Sequence, residues 1–214
     1  MDVDAVLKAA IGQISSDFPP NQLAYYALTS KPEREVRDVV AYSMHLALAG
    51  TESIVTREWK RIDLAVLQHN TLSLSVELKC AYTFDCVNGN PNGVNYGNAV
   101  IMDLNKSVHY ASDSTKIYAY LMLVHPKAKI SSLYHHAAKY AYKINRSLSR
   151  FSEDEIASQS ITNIRTYFSR WNLTPEIGHV PCGTAFGVDT ELITFLFGPL
   201  SKQQITEMEQ NGIQ

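Results

Sequence analysis

Three side chains in one short stretch have the types and spacing for phosphodiester chemistry. Asp63 lies in the run Arg61-Ile-Asp63-Leu-Ala-Val-Leu, and after a turn at Gln68-His-Asn-Thr71 the run Leu72-Ser-Leu-Ser-Val-Glu77-Leu-Lys79 follows. Side chains alternate across a strand, so Leu72, Leu74, Val76 and Leu78 share one face and Ser73, Ser75, Glu77 and Lys79 the other. The apolar face demands a core; the acid and the lysine emerge together opposite it. In a hairpin whose register sets Asp63 beside Glu77, two carboxylates and one ammonium meet at one point. A slip of one residue would turn Asp63 to the wrong face.

Hydrolysis of a phosphodiester needs a water deprotonated near neutral pH and neutralisation of charge on the transition state and leaving oxygen. Mg²⁺ supplies both, and it takes one or two carboxylates together with water and phosphate oxygens. Asp63 and Glu77 are then the metal ligands, and the backbone carbonyl of Leu78 is a further candidate oxygen. Lys79 either helps deprotonate the attacking water or stabilises phosphate charge. Alternating Glu and Lys on a strand is also ordinary solvation, and a Glu-x-Lys tripeptide arises about once by chance in such a chain. The weight rests on the conjunction of strand, acid and upstream helix.

These residues need elements to hold them. The pattern predicts a helix over 4–17, ended by Pro19-Pro20, and another from Ser30-Lys-Pro-Glu33 to Gly50. Strands follow at 52–59, 61–68 and 72–80, then an Asn/Gly loop from Asn88 to Gly97, a helix over 98–112 and a strand over 116–124. Helices over 132–149 and 153–170, strands over 179–188 and 191–198, and a polar tail complete one α/β domain spanning 1–214.

Composition narrows the function classes. The net charge of −2 over 214 residues restricts any nucleic-acid surface to a local patch. Three cysteines without metal-type spacing suit a reducing compartment. The acidic start lacks a signal-peptide pattern and no apolar run could span a bilayer, which predicts a cytoplasmic protein with no membrane partner. Neither a Gly-x-x-x-x-Gly-Lys phosphate loop nor a Gly-x-Ser-x-Gly elbow occurs.

The order helix, three strands, helix, strand resembles the common core of the PD-(D/E)XK nuclease superfamily, the restriction-endonuclease-like proteins. The likeness covers about residues 30–126, leaving 127–214 as a C-terminal elaboration of helices and a terminal strand pair. Ile62-Asp63 stands for the "PD" part, with isoleucine in place of proline, and Glu77-Leu78-Lys79 for the "(D/E)XK" part. The resemblance implies a three-strand meander followed by a parallel strand, a Mg²⁺-dependent endonuclease in which Mn²⁺ substitutes, DNA rather than RNA as substrate, and a homodimer. The alternative is a catalytically inactive module of this fold that binds nucleic acid or a protein.

The family often takes a third acid from its first core helix. Glu33 and Glu35 are the candidates, and Glu33 lies nearer the face of Val36, Val40 and Ala47. Against it, Ser30-Lys-Pro-Glu33 also reads as a capping box. Some members carry a substrate-binding Gln-x-x-x-Tyr pair in the later helix; here Lys106 and Tyr110 hold those positions. Lys139, Lys143, Arg146 and Arg150 recur along one face of the 132–149 helix, opposite Leu133, Ala137, Ile144 and Leu148. Such a stripe could track a phosphate backbone or simply be solvated. The aromatics from Tyr134 to Trp171 read as packing residues, and the adjacent His135 and His136 diverge on a helix.

Overall fold

The longest apolar run of the sequence becomes the middle of a sheet. The computed structural model describes residues 2–87 and 92–212. Strand β4 (Lys116–Pro126) is buried almost throughout, as expected of a strand covered on both faces. Around it lie β1 (Ser53–Trp59), β2 (Ile62–Gln68), β3 (Thr71–Tyr82), β5 (Glu176–Ala185) and β6 (Val188–Leu200), in the order β1-β2-β3-β4-β6-β5. Only β3 and β4 pair in parallel. The crossover between them contains helix α4 (Asn92–Val108).

Helices cover both faces of this open, mostly antiparallel sheet. Helices α1 (Val3–Gly12), α2 (Gln22–Thr29), α3 (Glu33–Ala47) and α5 (Ala141–Leu148) pack on Leu74, Val76, Leu78, Cys80 and Tyr82 of β3 and their neighbours. Helices α4, α6 (Glu153–Ser169) and α7 (Lys202–Gly212) enclose a second core against Ala81, Leu121, Leu123 and Phe195. The side of β3 that carries Ser75 and Glu77 is therefore not a solvent face; both residues are buried.

Several sequence expectations change. Helix α1 ends at Gly12, and α2 was not anticipated; its apolar Leu23, Ala24, Ala27 and Leu28 supply its buried face. The polar tail forms α7, which buries Ile205 and Met208. The loop expected through Gly97 is helical from Asn92; residues 88–91 lie outside the described residues. Gly97 is a packing residue: a Cβ there would fall 2.0 Å from the Tyr167 ring of α6. The helix expected over 132–149 is interrupted, with a 3-10 turn at Ser132–Tyr134 and α5 starting only after Tyr140, whose φ is 62°.

Candidate active site

A β-bulge sets the register that the chemistry requires. His69 and Asn70, both at positive φ, make a two-residue hairpin loop, and next to it Gln68 pairs with Thr71 and Leu67 with Leu72. Continued without interruption, that register would put Asp63 opposite Val76. Ser73 is the extra residue of β3: beyond it Val66 pairs with Leu74 and Leu64 with Val76, so Asp63 falls opposite Glu77. The Ser73 hydroxyl holds the bulge by donating to the Val66 carbonyl at 3.0 Å. Leu72 is turned to the other face, where it packs with Ile62, Ala65 and Leu67, contrary to the simple alternation.

β3 outruns β2, and the uncovered edge binds two carboxylates. β2 begins at Ile62, so the β3 backbone near Leu78 and Cys80 has no neighbour on that side. The Leu78 amide donates to Asp63 Oδ2 at 2.8 Å, and the Cys80 amide to Glu33 Oε2 at 2.6 Å. Amide and carbonyl of one strand residue point to the same side, so the Leu78 carbonyl faces this gap too. Glu33 is not a capping residue: α3 has no side-chain cap, and Ser30 Oγ donates instead to the Tyr26 carbonyl. Glu35 makes no bond to the β3 edge.

Glu77 is the anomaly of the cluster. It is 2 % exposed, and neither carboxylate oxygen has a hydrogen-bond partner among the described residues. No other described carboxylate has both oxygens buried and bare. Lys106 Nζ stands 3.9 Å from Glu77 Oε2. Burial, reinforced by the charge of Asp63, pushes the Glu77 carboxyl up to about 9. Burial also raises Glu33, opposed by Lys79 and the Cys80 amide.

A residue that sequence reasoning passed over ties the two lysines. Asp103 of α4 lies 2.5 Å from Lys79 Nζ through Oδ2 and 2.8 Å from Lys106 Nζ through Oδ1. Burial works against the Lys79 ammonium, but the bond to Asp103 and the charges of Asp103, Glu33 and Asp63 outweigh it and raise its pKa. Asp103 itself is lowered: Lys106 and Lys79 overcome its desolvation. Its signal was legible in the sequence, an acid three residues before Lys106 on the crossover helix that must cover the Glu77 and Lys79 face. No protein-family model, curated protein or solved structure matches the chain.

Glu33, Asp63, Glu77, Lys79 and Lys106 thus come together, with Leu78 contributing backbone. Tyr110 does not pair with Lys106 on a helix, because α4 ends at Val108. Its ring packs edge-on against Trp59 at 5.4 Å, beneath Lys60. The basic stripe is also broken. Only Lys143 and Arg146 lie within α5, Lys139 precedes it and Arg150 follows it, and Leu133 is 75 % exposed rather than docked.

Among the described residues no group of three or more His, Cys, Asp or Glu side chains is arranged to hold a metal ion. Two carboxylates nevertheless suit Mg²⁺, which keeps most of its shell as water and substrate oxygens. Four acids here face two lysines, and Glu77 has both oxygens free of hydrogen bonds with Lys106 3.9 Å off, so the donor set fits a divalent cation.

Proposed function

We propose that the chain is a metal-dependent nuclease, a DNA endonuclease with a restriction-endonuclease-like core. One observation carries the reading: Glu77, buried with both oxygens bare, lies opposite Asp63 and two residues before Lys79. A buried carboxylate without partners is costly, and a Mg²⁺ ion beside Asp63 would compensate it. Helix α3, the β1-β2-β3 meander, α4 and the parallel β4 follow the order of that core.

Asp63 and Glu77 would hold the ion, with the Leu78 carbonyl at the uncovered strand edge beside them. Bound there, Mg²⁺ (or Mn²⁺) would acidify a water and neutralise phosphate charge. Lys79, held protonated by Asp103, acts as an electrostatic stabiliser of the scissile phosphate rather than as a base. Lys106 reaches the same cluster and suits a phosphate oxygen. Glu33 orients the β3 edge through the Cys80 amide.

A second reading has its own support. Asp63 and Glu33 already cap strand amides and Lys79 is ion-paired, as they would be in a binding module without catalysis. Incubation with supercoiled plasmid and with single-stranded DNA in Mg²⁺, then Mn²⁺, separates the two. Nicking by the parent, abolished by chelation and absent in Lys79→Ala, is the expected result. DNA left intact by the parent in both metals would sink the nuclease reading.

A further inference from the structure

Beyond Lys79, β3 leads into a cluster of rings and ammonium groups. Tyr82 and Phe84 stack at 5.0 Å, and the Tyr140 ring stands edge-on to both, at 5.3 and 6.1 Å. Tyr140 is 37 % exposed, and the Lys139 and Lys143 ammonium groups lie over its ring, 5.2 and 5.3 Å from the centroid, so a base stacking there would replace them as they turn to its phosphates. The chain enters α5 through Tyr140 in the left-handed region, which is disfavoured for a residue with a Cβ. On the other side of the strand end, Lys31 lies 4.7 Å over the Tyr96 ring and donates to its hydroxyl at 3.2 Å. Lys31 is two residues from Glu33, so it links this cluster to the carboxylates. The nearby acid, Asp85, is buried and accepts from the Tyr96 hydroxyl.

We propose that Tyr140, flanked by Lys139 and Lys143, is a stacking platform that receives a single strand of nucleic acid beside the acid cluster. This substrate class rests on the nuclease reading for its consequence, although binding can be measured without it. Exposed aromatic faces interleaved with lysines are the features that hold single strands, because every base has a face to stack and every nucleotide carries a phosphate. A duplex offers no unstacked base to Tyr140. Lys79 and Tyr82 lie on opposite faces of β3, about 10 Å apart along it, and Lys31, set between the Tyr96 ring and the charge of Glu33, bridges the two at the strand end. A strand seated on Tyr140 would therefore reach the carboxylates within a few nucleotides.

The test is fluorescence anisotropy of the full chain with labelled single-stranded DNA, single-stranded RNA and duplex DNA, in chelator so that nothing is cut. Tyr140→Gly removes the ring where glycine's backbone fits freely, Tyr140→Phe keeps it, and thermal melting monitors folding. The expected result is single-strand binding tighter than duplex binding, weakened about ten-fold in Tyr140→Gly and retained in Tyr140→Phe. The comparison of DNA with RNA identifies which strand is taken. Lys139→Ala with Lys143→Ala should lower the salt slope of log K by about 0.7 for each lysine that meets a phosphate. Equal or tighter duplex binding, or folded Tyr140→Gly binding like the parent, overturns the proposal even if Mg²⁺-dependent cutting persists. Tyr140-dependent binding by a parent that in Mg²⁺ or Mn²⁺ never cuts the strand it binds supports the platform and overturns the nuclease reading instead.

Discussion

Two polar clusters flank the C-terminal end of β3, equally buried and oppositely satisfied. In one, His125 is 2 % exposed; its Nδ1 shares a hydrogen bond with Thr83 Oγ1 at 3.2 Å and its Nε2 lies 3.6 Å from Glu153. The Thr83 carbonyl accepts from Ser160 Oγ at 3.0 Å. The trio has the residue types of a nucleophile, a base and an orienting acid, but Thr83 is buried beyond reach of a substrate. In the other, Glu77 is as deeply buried and its oxygens accept no hydrogen bond, the Lys106 ammonium standing 3.9 Å away. A cluster that satisfies itself stabilises a fold and needs no ligand. One left unsatisfied, with its carboxyl displaced from its ordinary range, is the kind that marks a functional site.

The largest expected effect tests that contrast directly. Glu77→Ala and Asp63→Ala should each reduce Mg²⁺-dependent plasmid cleavage by about 10²-fold or more, since several kcal/mol of charge stabilisation disappear. Thr83→Val should do the reverse. It leaves His125 Nδ1 without its partner, costs ~1–3 kcal/mol of stability, and lowers Tm by about 2–4 °C per kcal/mol in a chain of this size. Its cleavage per folded molecule should match the parent. If Thr83→Val lost cleavage while Glu77→Ala kept it, the roles assigned to the two clusters would be exchanged.

Deleting Ser73 asks whether the bulge matters beyond the register it absorbs. With the extra residue gone, Leu72 still pairs with Leu67 and Leu74 with Val66, so Asp63 stays opposite Glu77. Cleavage by the folded deletion variant should therefore remain near that of the parent, and Ser73→Ala, which removes only the hydroxyl bond to Val66, should also retain most activity. Loss of cleavage by a folded deletion variant would show that the kink and twist of the bulge, and not the register alone, position the carboxylates.

Much of this was legible in the sequence, and the misses have physical causes. Strands β1 to β3 and the placing of Glu77 and Lys79 on one face follow from alternation and turn chemistry, which are local, whereas the parallel β4 and the choice of Glu33 came with the resemblance in element order. The burial of Glu77 was not legible, because it depends on α4 packing over that face. The bulge was equally hidden: nothing in Leu72-Ser-Leu-Ser-Val announces which serine is extra. The broken helix after residue 132 misled because Lys139, Lys143, Arg146 and Arg150 keep helical spacing across a chain reversal at Tyr140. Glycine at 97 looked like a loop residue until the Tyr167 ring occupied its place.

A smaller effect is expected at Asp103, which meets the chemistry only through the lysines. Asp103→Asn leaves a hydrogen-bonding group but removes the charge that holds Lys79 and Lys106. Activity should fall about 10–100-fold, the usual cost of losing an orienting partner, and the alkaline limb of the pH profile should move to lower pH as Lys79 loses its proton more readily. A purely structural role would lower Tm and leave the pH profile in place.

The smallest effect is a slope rather than a loss, and it separates the clusters by sign. Glu77, raised from 4.5 to about 9, keeps a proton in the folded protein that the unfolded chain has released. Stability of the metal-free protein should therefore decline as pH rises from about 4.5 to 9, and Glu33, also raised, adds to that decline. His125 is lowered from 6.5 by burial, against the pull of Glu191 and Glu153. Its contribution is complete above 6.5 and is lost as pH falls below that value. Between pH 7 and 8 His125 is silent and the three buried cysteines, raised by burial from an ordinary value of 9.0, have yet to contribute, so Tm measured in chelator across that window reads the carboxylates. Glu77→Gln should flatten the decline and raise Tm at pH 8.5, because a neutral amide needs no proton taken up on folding. Mg²⁺ should do the same for the parent, displacing the proton as it binds. Calorimetric titrations in buffers of different ionisation enthalpy should then show close to one proton released per ion at pH 7.5, and none in Glu77→Gln. A parent that binds Mg²⁺ without releasing a proton would mean that Glu77 is not the ligand, and its bare oxygens would need another explanation.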